Sequence, residues 1–194
     1  MGKRTPNPKP RIHQNAYDTP IKALLPLIPY LNPKDRFWEP CAGRGVLADA
    51  LADAGFYIVG ATDIEPRDER VTQLAALDLT VDYAKFADTF ITNPPWPEPR
   101  RNGEPALSIL HHLSGLRPTW ALLSADFMHN VYAEPLMAAC SKIVSIGRVK
   151  WFEGTEHDGM DNCAWYLFGP GSRPRPTHFY TRNAATLRSS SPPN

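Results

Sequence analysis

Asn93-Pro94-Pro95-Trp96 sets one amide side chain, two rigid rings and one large aromatic face in four consecutive positions. It follows the apolar run Phe90-Ile91-Thr92, which reads as the end of a buried strand. Two consecutive prolines supply no ladder donors and cannot extend a helix, so the strand must stop there. What the turn leaves at the strand's C-terminal edge is the Asn93 amide, the Pro94 carbonyl and the Trp96 indole. An amide oxygen beside a backbone carbonyl is a pair of acceptors suited to a planar exocyclic NH2 group. The indole offers a face on which a flat ring stacks. Together they suggest modification of an amino group on a flat heterocycle. Read alone, the tetrapeptide is also what a proline-rich loop produces, because the chain has 21 prolines in 194 residues.

A second group of residues lies upstream. Glu39-Pro40-Cys41-Ala42-Gly43-Arg44-Gly45 sits between a short apolar stretch and a run with helical spacing. Gly43 and Gly45 permit a tight turn and close backbone approach to a ligand, and the following helix N-terminus supplies free N–H groups. The run is neither the GxGxxG dinucleotide fingerprint nor a GxxxxGK[ST] phosphate loop. About 20 residues on, Asp63 closes Gly60-Ala61-Thr62-Asp63-Ile64, where a carboxylate can accept both hydroxyls of a ribose. Such an aspartate also serves as a simple turn cap. The order strand, GxG, helix, strand, acid nevertheless specifies a nucleoside-bearing cofactor better than either piece.

The elements that must position these residues follow from periodicity. Thr19 is expected to cap a helix with Pro20 at its first position, and Pro26 and Pro29 to kink or shorten it. Arg36 to Glu39 reads as the first strand. Val46, Leu47, Ala50, Leu51 and Ala54 recur at helical spacing up to Gly55. Tyr57 to Thr62 is a second strand, and Leu77-Asp78-Leu79 a short strand end. Pro97 to Glu104 is a loop with Arg100-Arg101 at its tip. Ala106 to Leu113 is helical, Trp120 to Ala125 a buried strand, and Tyr132 to Cys140 helical. Ile143 to Ile146 and Ala164 to Phe168 are closing strands, and the tail from Gly169 is expected to be loosely attached. This alternation predicts a doubly wound, Rossmann-like α/β fold with helices on both faces of the sheet.

A chain of 194 residues fits one domain with a substantial core. Residues 1–14 read as a basic, disordered arm, 15–182 as the folded domain and 183–194 as a flexible tail. No apolar stretch reaches the roughly 20 residues a membrane span needs, so no membrane partner is expected. The basic start has no apolar signal-peptide core. Cys41, Cys140 and Cys163 are widely separated and form no CxxC pair, which favours a reducing cytoplasm. The net charge of +1 hides a segregation: +5 over residues 1–34, −8 over 35–161 and +4 over 162–194. Basic ends on an acidic body would meet phosphates if they share a face, and would otherwise be solvated tails.

These motifs in this order resemble those of the class I S-adenosylmethionine-dependent amino-group DNA methyltransferases, specifically small phage- and prophage-type adenine-N6 enzymes. The residues carrying the resemblance are Tyr17-Asp18-Thr19-Pro20, Trp38 to Gly45, Asp63-Ile64, Leu77-Asp78-Leu79 and Ile91 to Trp96. Arg148 to Gly154 and Asn162 to Phe168 continue it, so that it spans roughly residues 14–182. The resemblance implies a mixed seven-stranded sheet. It implies S-adenosyl-L-methionine as cofactor and S-adenosyl-L-homocysteine as product. Tyr17, Thr19 and Pro20 would flank the methionine end, and Glu39, Pro40, Cys41, Ala42, Gly43 and Gly45 would cradle it. Asp63 and Ile64 would take the ribose side, Asp78 and Leu79 the adenine. Asn93, Pro94, Pro95 and Trp96 would hold the target base. If the chain is phage-encoded, it would work in the host cytoplasm.

The reaction so implied moves a sulfonium-bound methyl group to the exocyclic N6 amine of adenine in DNA. The base must be flipped out or already single-stranded, because a paired base cannot reach such a pocket. Trp151 and Phe152 would extend the aromatic wall, Trp165 suits the core, and Arg100 and Arg101 would contact phosphates. No metal is expected: His111, His112 and His157 lack a sensibly spaced third ligand. Segments 97–105 and 148–163 are the longest available recognition loops, which favours a short or relaxed sequence context. The alternatives are an RNA-adenine, cytosine-N4 or protein-glutamine methyltransferase, or a catalytically silent nucleic-acid-binding relative. Cytosine enzymes tend to carry Ser before the prolines, and glutamine enzymes Tyr after them with an extra N-terminal domain. A silent copy would have no need of both Asp63 and Asn93. The sequence leaves oligomeric state open.

Overall fold

A computed structural model describes residues 17–151, 159, 161–170 and 176–182. One sheet of eight strands organises them, in the order β3-β2-β1-β4-β5-β7-β6-β8. The strands are β1 (Arg36–Glu39), β2 (Tyr57–Asp63), β3 (Thr72–Gln73), β4 (Thr89–Thr92), β5 (Thr119–Ser124), β6 (Cys140–Arg148), β7 (Asn162–Phe168) and β8 (His178–Tyr180). The helices are α1 (Ile21–Leu24), α2 (Val46–Asp53), α3 (Val81–Ala84), α4 (Ala106–Leu116) and α5 (Glu134–Ala138). From β3 across to β5 all neighbours are parallel, and β7 runs antiparallel between β5 and β6. The doubly wound α/β class expected from the sequence is therefore the observed one.

Alternation along the strands fixes the two faces. Phe37, Ile91, Trp120, Leu122 and Trp165 pack with Leu24, Leu27 and Leu51 of the α1 and α2 side. Their neighbours Ala121, Leu123, Ala164, Tyr166 and Phe168 point the other way, against Leu110 of α4 and Leu136 of α5. Trp38, Phe90 and Leu79 join Ile109 and Leu113 of α4 in a third cluster. Trp165 lies in the core, and its indole N–H donates to the Ala23 carbonyl at 2.8 Å.

Several boundaries differ from expectation. The sheet has eight strands instead of seven, because His178–Tyr180 joins β6 in parallel at Lys142–Val144. The Thr177 hydroxyl fastens that strand to the Cys140 carbonyl at 2.8 Å, so this part of the tail is attached. Thr19 caps nothing with its side chain: α1 begins after Pro20, and its four residues end where Pro26 and Pro29 interrupt the ladder. Ala76–Asp78 is a 3-10 turn, and the strand in that region is Thr72–Gln73 upstream. Of the expected helical segment Tyr132–Cys140, Tyr132 and Ala133 form part of a 3-10 turn, Glu134–Ala138 is α-helical, and Cys140 already opens β6. The basic arm at residues 1–14, Phe152, His157 and the tail at 183–194 lie outside the described residues.

Candidate functional site

The parallel strands bring three chain reversals to one edge of the sheet: Glu39 ends β1, Asp63 ends β2 and Thr92 ends β4. β1 lies between the other two, so connections leave it in opposite directions and open a crevice at the strands' carboxyl ends. A cavity of about 390 Å³ occupies that place. Its wall includes Glu39, Cys41, Gly43, Asp63, Ile64 and Asn93. Tyr17, Thr19, Pro40, Ala42 and Pro95 line it as well.

The 41–45 loop is fastened to the end of β2 at successive points. Ala42 N–H donates to the Thr62 carbonyl at 2.9 Å, and Gly43 N–H to Asp63 Oδ2 at 2.8 Å. The Gly43 carbonyl accepts from Arg67 N–H at 2.9 Å. Gly43 and Gly45 stand at φ +57° and +80°, backbone that side chains other than glycine's adopt only under strain. Asp63 Oδ1 accepts from Glu65 N–H at 2.8 Å, so backbone amides set the orientation of this carboxylate on both oxygens. An oxygen accepting one hydrogen bond retains a lone pair for another.

Glu39 is 3% exposed, and its Oε2 accepts from Ala48 N–H in the first turn of α2 at 2.9 Å. Burial pushes its carboxyl well above the usual carboxylate range, against the pull of the Ala48 amide. The nearby charges of Asp63, Asp49 and Asp18 add to the rise. Burial likewise pushes the Cys41 thiol up to about 12, which leaves it a neutral wall group with no thiolate at neutral pH. Cys140 and Cys163 are buried away from the cavity. Among the described residues no cluster of three or more His, Cys, Asp or Glu is placed to hold a metal ion.

On the Asn93 side, side chains hold one another. Trp96 Nε1 donates to Asn93 Oδ1 at 3.1 Å, and Asn93 Nδ2 donates to the Tyr17 carbonyl at 3.4 Å. The Trp96 and Trp151 rings meet edge to face with centroids 5.6 Å apart, and Tyr17 tilts against Trp151 at 5.8 Å. Gly159 backs this group: a Cβ there would lie 3.1 Å from the Trp151 ring and 2.6 Å from the Val149 carbonyl. Arg100 and Arg101 sit exposed on a 3-10 turn just beyond Trp96.

Some expected residues, Trp96, Trp151, Arg100 and Arg101 among them, are not part of the cavity wall. Pro20 and Gly45 lie beside it as the residues preceding α1 and α2, and Pro94 is buried beneath the turn. Asp78 is exposed, and Leu79 is fully buried with its carbonyl 2.7 Å from His112 Nε2. From that turn it is Leu77, preceded by Ala75 and Ala76, that faces the cavity. Phe152 lies outside the described residues. Residues the sequence did not single out as site residues also contribute: Asp18, Glu65, Arg67, Pro105 and Ile109. Asp18 bridges Arg44 at 2.6 Å and Arg67 at 2.9 Å, tying the segment before α1 to two loops at the cavity mouth. Asp18 was within reach, as part of Tyr17-Asp18-Thr19-Pro20. Arg67 carries no local signal, because it reaches Gly43 only through folding.

No protein-family model matches the chain, and no curated protein sequence matches it. Solved structures do. The type IIG restriction endonuclease BpuSI superposes with a TM-score of 0.58 at 16% identity, covering 92% of this chain and 30% of its own. A type I restriction-modification methyltransferase subunit from Streptococcus thermophilus gives 0.54 at 13% identity, over 86% of this chain and 47% of that one. A protein of Pyrococcus horikoshii proposed to be an RNA methyltransferase gives 0.58 at 13% identity, over 84% and 91%. The chain thus spans less than half the length of the restriction-modification structures it resembles. At these identities the likeness is one of fold, and the fold is that of the class I methyltransferases.

Proposed function

We propose that this chain is an S-adenosylmethionine-dependent methyltransferase acting on the exocyclic N6 amine of adenine in DNA, with residues 15–182 as its catalytic domain. The observation that carries this reading is one continuous cavity with Asp63 on one wall and Asn93 on another. The first is an acid at the end of β2, suited to ribose hydroxyls; the second is an amide at the end of β4, suited to an aromatic amine.

The cavity fits the cofactor. Its volume lies within the range of roughly 300–1,000 Å³ common for small-molecule sites. Ile64 and Leu77 are apolar yet 65% and 49% exposed, and both face the cavity, as a slot for a flat ring requires. Asp63 would hold the ribose, Ile64 and Leu77 the adenine faces, and the 41–45 loop with Tyr17 and Thr19 the methionine portion. When bound, the cofactor supplies a methyl group already activated by a sulfonium leaving group.

The chain's own contribution is then orientation and electrostatics. An aromatic amine is a weak nucleophile because its lone pair is delocalised into the ring. Asn93 Oδ1 and the Pro94 carbonyl would accept its two N–H groups, favour a pyramidal nitrogen and stabilise the positive charge that develops there. Trp96 would offset part of the cost of unstacking the base, by roughly 1–3 kcal/mol. Arg100, Arg101, Arg148 and Lys150 are exposed on segments flanking Trp96 and Trp151 and would meet phosphates.

The test is incubation with methyl-labelled S-adenosylmethionine and, separately, double-stranded DNA, single-stranded DNA, RNA and a glutamine peptide. Mass spectrometry then identifies the methylated species. N6-methyladenine in DNA is expected; label in N4-methylcytosine, in RNA or in the peptide would replace this substrate assignment.

A further inference from the structure

Base stacking does not account for the indole N–H of Trp96. A phenyl ring would stack in the same place, yet only an indole puts a donor at Nε1, 3.1 Å from Asn93 Oδ1. The two prolines between them fix the reach of that contact, since Pro94 and Pro95 restrict the turn that carries both side chains. The opposite end of the amide is also engaged, by the Tyr17 carbonyl. A donor on one side and an acceptor on the other decide which end of the amide is oxygen.

The contacts close on themselves. Tyr17 accepts from Asn93, Asn93 accepts from Trp96, the Trp96 ring abuts Trp151, and the Trp151 ring abuts Tyr17. Trp96 is not free to swing out of this circuit, because it packs against the clusters on both faces of the sheet. Gly159 fixes Trp151 from behind, where no side chain would fit.

We propose that Trp96 is a positioning residue: its indole N–H holds Asn93 Oδ1 toward the target amine and prevents the amide from presenting its NH2 end. This rests on the reading above, in which Asn93 accepts from that amine. An amide oxygen has two acceptor sites, so the indole occupies one and leaves the other for the substrate. With the amide reversed, a donor would face a donor and the contact would be lost.

The discriminating experiment removes the donor but keeps a ring, and then removes the need for it. Trp96→Phe in the full chain should lower kcat for DNA methylation on the order of tenfold, the effect of one net hydrogen bond. KM for DNA should stay within threefold. In an Asn93→Asp background both carboxylate oxygens accept, so orientation no longer matters and the same Trp96→Phe change should cost less than threefold. An equal cost in both backgrounds would overturn the proposal and leave stacking as the role of Trp96. A second measurement needs no turnover. With 15N-labelled indoles, the Trp96 N–H, assigned by its absence in Trp96→Phe, should exchange slowly with solvent in the wild type and quickly in Asn93→Leu. Rapid exchange in the wild type would overturn the clamp. If the wild type methylates no substrate, the function reading falls, and the indole exchange alone decides whether the clamp exists.

Discussion

Glu39 and Asp63 answer to the backbone, whereas Asn93 and Trp96 answer to each other. On the β1–β2 side, carboxyl oxygens accept from the main-chain amides of Ala48, Gly43 and Glu65, donors that persist when the side chains of those residues change. On the β4 side, an amide and three aromatic rings hold one another through side chains alone, apart from the Tyr17 carbonyl. The first arrangement is built into the chain path and resists change. The second can be retuned one residue at a time. That difference suits a site in which one ligand is constant and the other is selected.

The largest effect is expected on the side-chain-held wall. Asn93→Ala should reduce methyl transfer about 100- to 1,000-fold, by analogy with the roughly 2.7–4 kcal/mol lost with an oriented oxyanion-hole donor. Cofactor affinity by calorimetry should stay within a few-fold. Turnover within threefold of wild type would remove Asn93 from the chemistry and erase the contrast between the walls.

Next comes Asp63→Ala, which removes both side-chain acceptor oxygens and releases the Gly43 and Glu65 amides. A net loss of about 1.5–3 kcal/mol for the ribose contacts together corresponds to roughly 10- to 100-fold weaker S-adenosylmethionine binding. Unchanged calorimetric affinity would place the cofactor elsewhere.

Glu39→Gln probes the backbone-held wall through pH. A carboxyl whose pKa is higher folded than unfolded binds its proton more tightly in the native state. The wild type therefore loses stability as pH rises from about 4.3, the unfolded value, through the raised folded one. Glutamine keeps an acceptor for Ala48 N–H and does not titrate. The variant should gain on the wild type across that window by up to about 1.4 kcal/mol per pH unit, read as Tm against pH. Parallel Tm curves would show that the carboxylate is compensated in place.

The smallest effect belongs to Asp18→Asn. Its partners Arg44 and Arg67 have side chains 57% and 33% exposed, so the bridges at the cavity mouth should be worth about 0.2–1 kcal/mol of stability in denaturant titration. A larger loss would mean that the mouth is held as firmly as the floor.

Most of the sheet was legible because its strands are apolar runs broken by Gly, Pro or charge. β1 was expected at Arg36–Glu39 and found there, and β4 and β7 differ from their expected spans by one and two residues. Where side-chain periodicity is weak, local pattern and structure part: Leu77-Asp78-Leu79 reads as a short strand end, but Ala76–Asp78 turns as a 3-10 helix and only Leu79 is extended. Thr19 has the composition of a cap, yet it is 4% exposed on the cavity wall, where the chain path outweighs capping preference. Glu39, Asp63 and Asn93 could be singled out because a strand's end is a local event. Arg67 and Ile109 could not, since only long-range folding brings them to the same cavity.

β8 has a consequence away from the chemistry. It covers the outer edge of β6 at Lys142–Val144, and its Tyr180 ring packs 4.4 Å from Tyr30. A chain shortened to residue 175 would keep the cavity residues but bare the N–H and C=O groups of that edge, a template for pairing with another molecule. Such a chain should scatter more light and clump at lower concentration than the full one. A short strand remote from the cavity thereby governs how the protein can be stored and concentrated.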